Sequence, residues 1–293
     1  MWDMFTKDRI TGIANKGLSV EFALEFGRAL GRYILSDGEA FNKVIICRDT
    51  RLSGYMIESA LCAGLCAEGI NVYVVGVIPT SAMTPLVVKY KADIGISITA
   101  SDLCGEYNGF RLFDKNGIPA DGKVFEKIFD FSKNKAENIG EKVGKVRRLH
   151  TALRDYVDYV KSFSSLSLSG LKIAIDCANG SAFECAKIIF SERGAYVEVM
   201  HNNPDGENIN LDSGINNTEI LRNFVVSHKC DMGIAIGGDG SSAVLIDEKG
   251  NEINIEDAKE VFSVPDDCAS PEACLIIAGT ISDSGKRLSE VRQ

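Results

Sequence analysis

The feature that most constrains this chain is an alternation. Short apolar runs that suit buried strands take turns with longer stretches whose apolar residues recur at helical spacing. Runs 43–47 (KVIIC), 71–77 (NVYVVGV) and 93–98 (DIGISI) predict strands. Stretches 19–35, 54–68 and 80–90 predict helices, with Ser19 and Glu21 near the start of the first and Gly69 closing the second. Strands alternating with helices imply a sheet with parallel strands, covered on both faces.

The alternation is interrupted once. From Lys133 to Arg148 the chain is charged and poor in large apolar residues, which predicts a surface excursion or a strand leading to a linker. Stretch 151–163 predicts a helix connecting two domains. A second series follows, with strands at 171–177, 195–200, 231–236 and 243–247 and helices at 181–193 and 217–229. The boundaries fall near 150 and 253, giving domains 1–150 and 151–253 and a tail, 254–293. In the tail, 256–262 starts a helix, 275–281 (LIIAGTI) predicts a strand, and 284–292 a short helix or frayed end. One strand and one helix cannot bury a core alone. The tail must dock on the second domain, pair with another chain, or stay partly disordered.

With 293 residues the chain is long enough for two ordinary domains, and 45% hydrophobic with 25% charged residues is the balance of a soluble globular protein. A net charge of −9 argues against nucleic acid or an anionic membrane as main partner, because both need a basic footprint. A phosphorylated substrate can still bind a local basic pocket or a nest of backbone N–H groups. No stretch approaches the apolar length of a membrane span and the N-terminus has no signal-like apolar region, so a cytoplasmic protein is expected. The nine cysteines include no CxxC pair, and several, such as Cys47 and Cys177, sit inside apolar runs. Cys62 and Cys66 share a helix face. Reduced, packed thiols are expected rather than a zinc site.

Four loops carry the residues that could do chemistry, each after a predicted strand or in a Gly-rich turn, where ligands of α/β sheets gather. Ser101, in Thr99-Ala100-Ser101, is a nucleophile or phosphate carrier, or else a turn residue or cap. Arg48, Asp49 and Arg51 either grip an anion or form an Arg–Asp pair that orders their loop. Asp176-Cys177-Ala178-Asn179-Gly180-Ser181 is a strand-to-helix turn for which packing is the default. Gly237-Gly238-Asp239-Gly240-Ser241-Ser242 is a glycine loop with one carboxylate, and one carboxylate does not make a magnesium site.

In this order, RDTRLSGYM (48–56), TAS with YNG (99–109), DCANGSAF (176–183), NNPDGENIN (202–210) and GIAIGGDG with LIDEKGN (233–251) resemble phosphoglucosamine mutases of the α-D-phosphohexomutase superfamily. The opening FTKDRITGIAN is also similar, and the likeness covers nearly the whole chain. It implies three-layer α/β/α domains with mixed, mostly parallel sheets: the first two domains plus a fragment of the third. It also implies a mechanism. A phosphoserine at Ser101 donates its phosphate to a hexose phosphate, the bisphosphate turns around, and a phosphate returns from the other end. Magnesium is held by the phosphoserine and three aspartates, and Arg48 and Arg51 are implied as catalytic positions.

The chain departs from that pattern at named places. The family metal loop reads Asp-Gly-Asp-x-Asp-Arg; here Gly237, Ser241 and Ser242 replace two aspartates and the arginine, leaving Asp239 and Ser101 as ligands. Asp102, Leu103 and Cys104 stand where His-Asn-Pro follows the phosphoserine, and Asp102 opposes phosphorylation beside it or substitutes as a metal ligand. Thr11 replaces an arginine of the opening loop, while Arg111 keeps a basic position. IIAGTISDSGKRL resembles the middle of the third domain, where the sequence stops short of the family's sugar-recognition loop and fourth domain. A pseudoenzyme is expected, binding magnesium weakly or not at all and acting by binding or regulation. Its expected partners are a second copy through the first domain, an intact mutase or a phosphosugar. The alternative is a residual phosphotransferase interconverting hexosamine 6-phosphate and 1-phosphate.

Overall fold

The computed structural model describes residues 8–36, 41–133, 142–265 and 268–292. Residues 5–7 of the opening segment and 134–141 of the charged excursion lie outside them. Contacts divide the chain into unit 1, Met1–Ala152, and unit 2, Leu153–Gln293.

Unit 1 is built on a six-stranded sheet. Its strands are β1 (Arg9–Ile13), β2 (Lys43–Arg48), β3 (Asn71–Val77), β4 (Ile94–Ile98), β5 (Tyr107–Phe113) and β6 (Val146–Arg148), in the order β1-β5-β4-β2-β3-β6. The strands β4, β2, β3 and β6 run parallel, while β5 is antiparallel to both β4 and β1. Helices α1 (Val20–Leu35), α2 (Ser53–Ala67) and α4 (Gly122–Lys133) supply one core, in which Phe22, Phe26 and Phe110 stack. Helix α3 (Met83–Tyr90) packs on the other face, with Val87 against Gly95 of β4. Ser19 caps α1 through the amide of Phe22, 3.2 Å away. Helices α1 and α2 touch backbone to backbone: a Cβ at Gly64 would lie 2.2 Å from the Leu24 carbonyl oxygen, so only glycine fits.

Unit 2 has a five-stranded sheet of β7 (Lys172–Asp176), β8 (Tyr196–Met200), β9 (Met232–Ile236), β10 (Ala243–Ile246) and β11 (Glu252–Ile253), ordered β11-β10-β9-β7-β8. Strands β9, β7 and β8 are parallel and the other two antiparallel. Helices α5 (Ala152–Ser162), α6 (Cys185–Ser191) and α7 (Glu219–Ser227) belong to this unit, and α7 closes a small core over Ala174, Ala235 and Ile246. Helix α6 is shorter than the 181–193 expected, because Ser181–Glu184 form turns instead.

The tail corrects one expectation. Residues 275–281 are not a strand but the middle of α9 (Ser270–Ser284), which follows α8 (Ile255–Val261) and precedes a 3-10 turn at Leu288–Arg292. Cys274, Ile277, Ala278 and Ile281 recur at helical spacing and are all buried. Pro271 lies in the first turn and Gly285 ends the helix with φ +69°. Helix α9 packs on α8 and β10, so the tail is part of unit 2. Among the described residues no helix is long and apolar enough to cross a membrane.

Candidate functional site

In unit 1 the sequence-predicted residues come together at the carboxyl ends of β2 and β4. Arg48 closes β2, Asp49 and Arg51 follow it, and Ser101 lies three residues beyond β4. All three of the first group are buried. The Arg51 guanidinium pairs with the Asp49 carboxylate and donates to the carbonyl oxygens of Ser101 (3.1 Å) and Leu103. Asp49 also accepts from the Arg51 amide (3.1 Å) and from the Thr99 hydroxyl (2.6 Å), and Thr99 Oγ1 accepts from the Ser101 amide at 3.0 Å. Both loops are thus tied to one buried carboxylate. Ser101 is held at φ +53°, a left-handed conformation that costs a serine about 1–2 kcal/mol unless its surroundings impose it.

Arg48 is employed differently. Its guanidinium lies 3.7 Å from the Tyr55 ring centre, and Nε is 3.7 Å from the Glu58 carboxylate. Burial raises the pKa of Glu58 above its ordinary 4.5, opposed by Arg48 and Arg148. The Ser53 hydroxyl accepts from the Asn108 amide group at 2.9 Å, joining the start of α2 to β5. Thr11 of β1 faces Gly109, and Arg111 of β5 faces Arg9 across that strand pair. Leu103 and Cys104 are exposed, and Cys104 is the one exposed thiol of the nine. The Cys62 thiol is pushed up to about 12 by burial, and none of the nine cysteines is in a disulfide. Neither Thr99 as the hinge of the network nor Glu58 and Tyr55 as Arg48's partners was expected. Only the polar residues on α2 offered any sequence signal.

In unit 2 the glycine loop joins β9 to β10 as a tight turn, closed by Gly237 N to Ser242 O (2.9 Å) and Gly240 N to Gly237 O (2.8 Å). Asp239 is fully buried. Its Oδ1 accepts from the Ser241 amide (2.9 Å) and hydroxyl (2.7 Å), while Oδ2 has no partner. The DCANGS turn is stitched to this loop by Ser181 N to Gly238 O (2.8 Å), and Asn210 accepts from the Gly238 amide (2.9 Å). Beside it Asp176, fully buried, meets His201 Nδ1 at 2.9 Å, a contact with no signal in the sequence.

The magnesium that the resemblance implies does not fit this donor set. Magnesium takes near-octahedral oxygen coordination and relies on carboxylates or phosphate for charge. Here one carboxylate is present, one of its oxygens is engaged by Ser241, and Gly237 offers no side chain. Among the described residues no group of three or more His, Cys, Asp or Glu could hold a metal.

Comparison with known proteins agrees with the two α/β units. Residues 3–139 match the family model of phosphoglucomutase/phosphomannomutase alpha/beta/alpha domain I, and residues 154–250 that of domain II. A phosphoglucosamine mutase of Clostridioides difficile (strain 630) is 42% identical over 254 residues, covering 85% of this chain and 56% of that protein. One from Clostridium botulinum (strain Hall) is 42% identical over 259 residues, covering 87% and 58%. The chain therefore spans little more than half the length of these relatives. Among solved structures, a phosphoglucomutase/phosphomannomutase family protein from Burkholderia thailandensis superposes with TM-score 0.75 at 24% identity, over 90% of this chain and 59% of that one. The Paramecium phosphoglucomutase parafusin gives 0.72 at 16%, over 88% and 55%. These last two show the fold alone. Two consecutive domain matches and 42% identity to phosphoglucosamine mutases make the chain a member of the α-D-phosphohexomutase (phosphoglucomutase/phosphomannomutase) superfamily.

Proposed function

We propose that this chain is a phosphoglucosamine mutase-like protein of carbohydrate metabolism in which magnesium-dependent phosphoryl transfer is impaired, and that it acts by binding a phosphosugar or an intact mutase. The observation that carries this reading is the Asp239 loop. Phosphoryl transfer relies on positioning and on a cation that offsets charge on the transferring group. With Gly237 and Ser241 in place of aspartates, and Ser241 turned onto Asp239, the loop lacks the charge to hold magnesium. The buried Arg51–Asp49 pair supports a retained fold, because it braces the Ser101 loop without needing a ligand. Pairing with a second copy or a mutase through unit 1 belongs to the same proposal.

The second reading is a residual phosphotransferase that interconverts hexosamine 6-phosphate and 1-phosphate. It is favoured by 42% identity to proteins named phosphoglucosamine mutase and by Ser101 being kept in a braced, left-handed loop. One assay separates the two. The purified protein is incubated with glucosamine 6-phosphate, glucose 1,6-bisphosphate and magnesium, and isomer conversion is followed. The expected result is no turnover above an S101A control; turnover above that control establishes the second reading. Restoring G237D and S241D together is expected to raise magnesium affinity on the order of tenfold or more, read by calorimetric titration.

A further inference from the structure

The carboxyl-terminal end of the unit 2 sheet holds an unusual set of oxygens. Ser181 Oγ, Asn202 Oδ1, Ser213 Oγ, Asp239 Oδ2 and Ser242 Oγ are each buried from solvent and without a hydrogen-bond partner. Of these residues Asp239 and Ser213 are 0% exposed and Ser181 is 1% exposed. They come from the loops after β7 and β9 and from the 202–214 segment after β8, three stretches that hydrogen-bond to one another. Ser181 N reaches Gly238 O at 2.8 Å, Asn210 accepts from Gly238 N at 2.9 Å, and the Asn179 side chain accepts from the Asn203 amide at 3.1 Å. Gly214 passes so close to β9 that a Cβ there would lie 2.5 Å from the Ile236 carbonyl oxygen.

Leaving a buried oxygen unpaired is costly, and most so for a charged one. The same loops also hold five non-glycine residues in left-handed backbone: Ala178, Asn179, His201, Asn210 and Asp212, at φ between 44° and 61°. Such strain persists where the surroundings over-determine it, and it clusters at ligand sites.

We propose that this end of unit 2 is a monovalent-cation site, taking sodium or potassium on Asp239 Oδ2 and on neighbouring hydroxyl and amide oxygens. The proposal rests on the reading that this loop has lost its magnesium set. Charge decides the class. One buried carboxylate is neutralised by one positive charge, whereas a divalent ion would leave an uncompensated charge beside it. Magnesium dehydrates reluctantly and prefers several anionic or water ligands; sodium and potassium accept neutral oxygens in place of their hydration shell. The substitutions at 237, 241 and 242 therefore lower the charge of the ion that the loop holds and leave its need for an ion in place.

The test is thermal unfolding of the whole protein, stripped of metal and compared in sodium, potassium, tetramethylammonium and magnesium chlorides at matched ionic strength. Sodium or potassium at ten times its Kd is expected to raise Tm by about 3 °C over tetramethylammonium. D239N should abolish the shift and S213A should at least halve it, while S165A, at an exposed serine, should leave it intact. If D239N does not fold, S213A decides. Thallium(I) NMR gives a direct readout, with a broadened signal that potassium or sodium displaces. Equal midpoints in the sodium, potassium and tetramethylammonium salts overturn the site but leave the proposed function standing. A larger shift with magnesium than with either monovalent ion overturns both.

Discussion

At the scale of single residues, Arg51 matters through what it holds in place. One buried guanidinium neutralises the buried Asp49 and binds two carbonyl oxygens of the Ser101 loop. Removing one partner of a buried pair strands the other charge, so R51M should cost about 3–5 kcal/mol, measured by urea unfolding. A surface arginine would cost little, and a loss under 1 kcal/mol would show that the clamp is not formed in solution. The sequence left open whether Arg48, Asp49 and Arg51 grip an anion or order their own loop. That could not be decided from spacing, because the answer depends on Thr99 and Ser101, some fifty residues away. Glu58 supplies a pH test. Its folded pKa lies above the ordinary 4.5, so the stability it contributes is fully present below 4.5 and is lost as pH rises through the folded value. E58Q should therefore show a smaller fall in Tm than the parent protein as pH is raised from 4.5 towards neutrality.

Among the elements, those with strong periodicity were legible. Helices α1, α2 and α7 and strands β2, β3, β4, β7 and β9 lie close to where alternation placed them. Strands β1 and β5 were not predicted, because RITGI and YNGFRLF are interrupted by polar residues, and β1 finds its partner only in the sequence-distant β5, which also pairs with the preceding β4. The tail shows the opposite failure. LIIAGTI has the composition of a strand, but its buried residues lie at helical spacing and it docks on α8 and β10. Leu275 and Ile277 are fully buried, so I277A should cost about 2–4 kcal/mol in unit 2, read by denaturant unfolding. The close approach of α1 and α2 makes a further prediction. G64A forces a Cβ against the Leu24 carbonyl and should destabilise by about 1–3 kcal/mol, although alanine is the better helix former.

Across the whole molecule, charge is divided unevenly. Unit 1 carries 20 Lys and Arg against 18 Asp and Glu, and unit 2 carries 12 against 23. The protein should bind an anion-exchange column near neutral pH and pass through heparin at about 0.15 M salt; retention on heparin would show a basic surface strong enough for polyanions. The sequence by itself determined the class of fold, the two α/β units and the identity of the loops that gather at their sheet ends. Periodicity and motif order are local properties, and each survives in a linear string. Only the tertiary structure decided that Arg51 is a buried clamp, that residues 275–281 of the tail are helical, and that Asp239 keeps one carboxylate oxygen unpaired. These outcomes depend on which distant backbone and side-chain groups meet, and on how much water is excluded when they do.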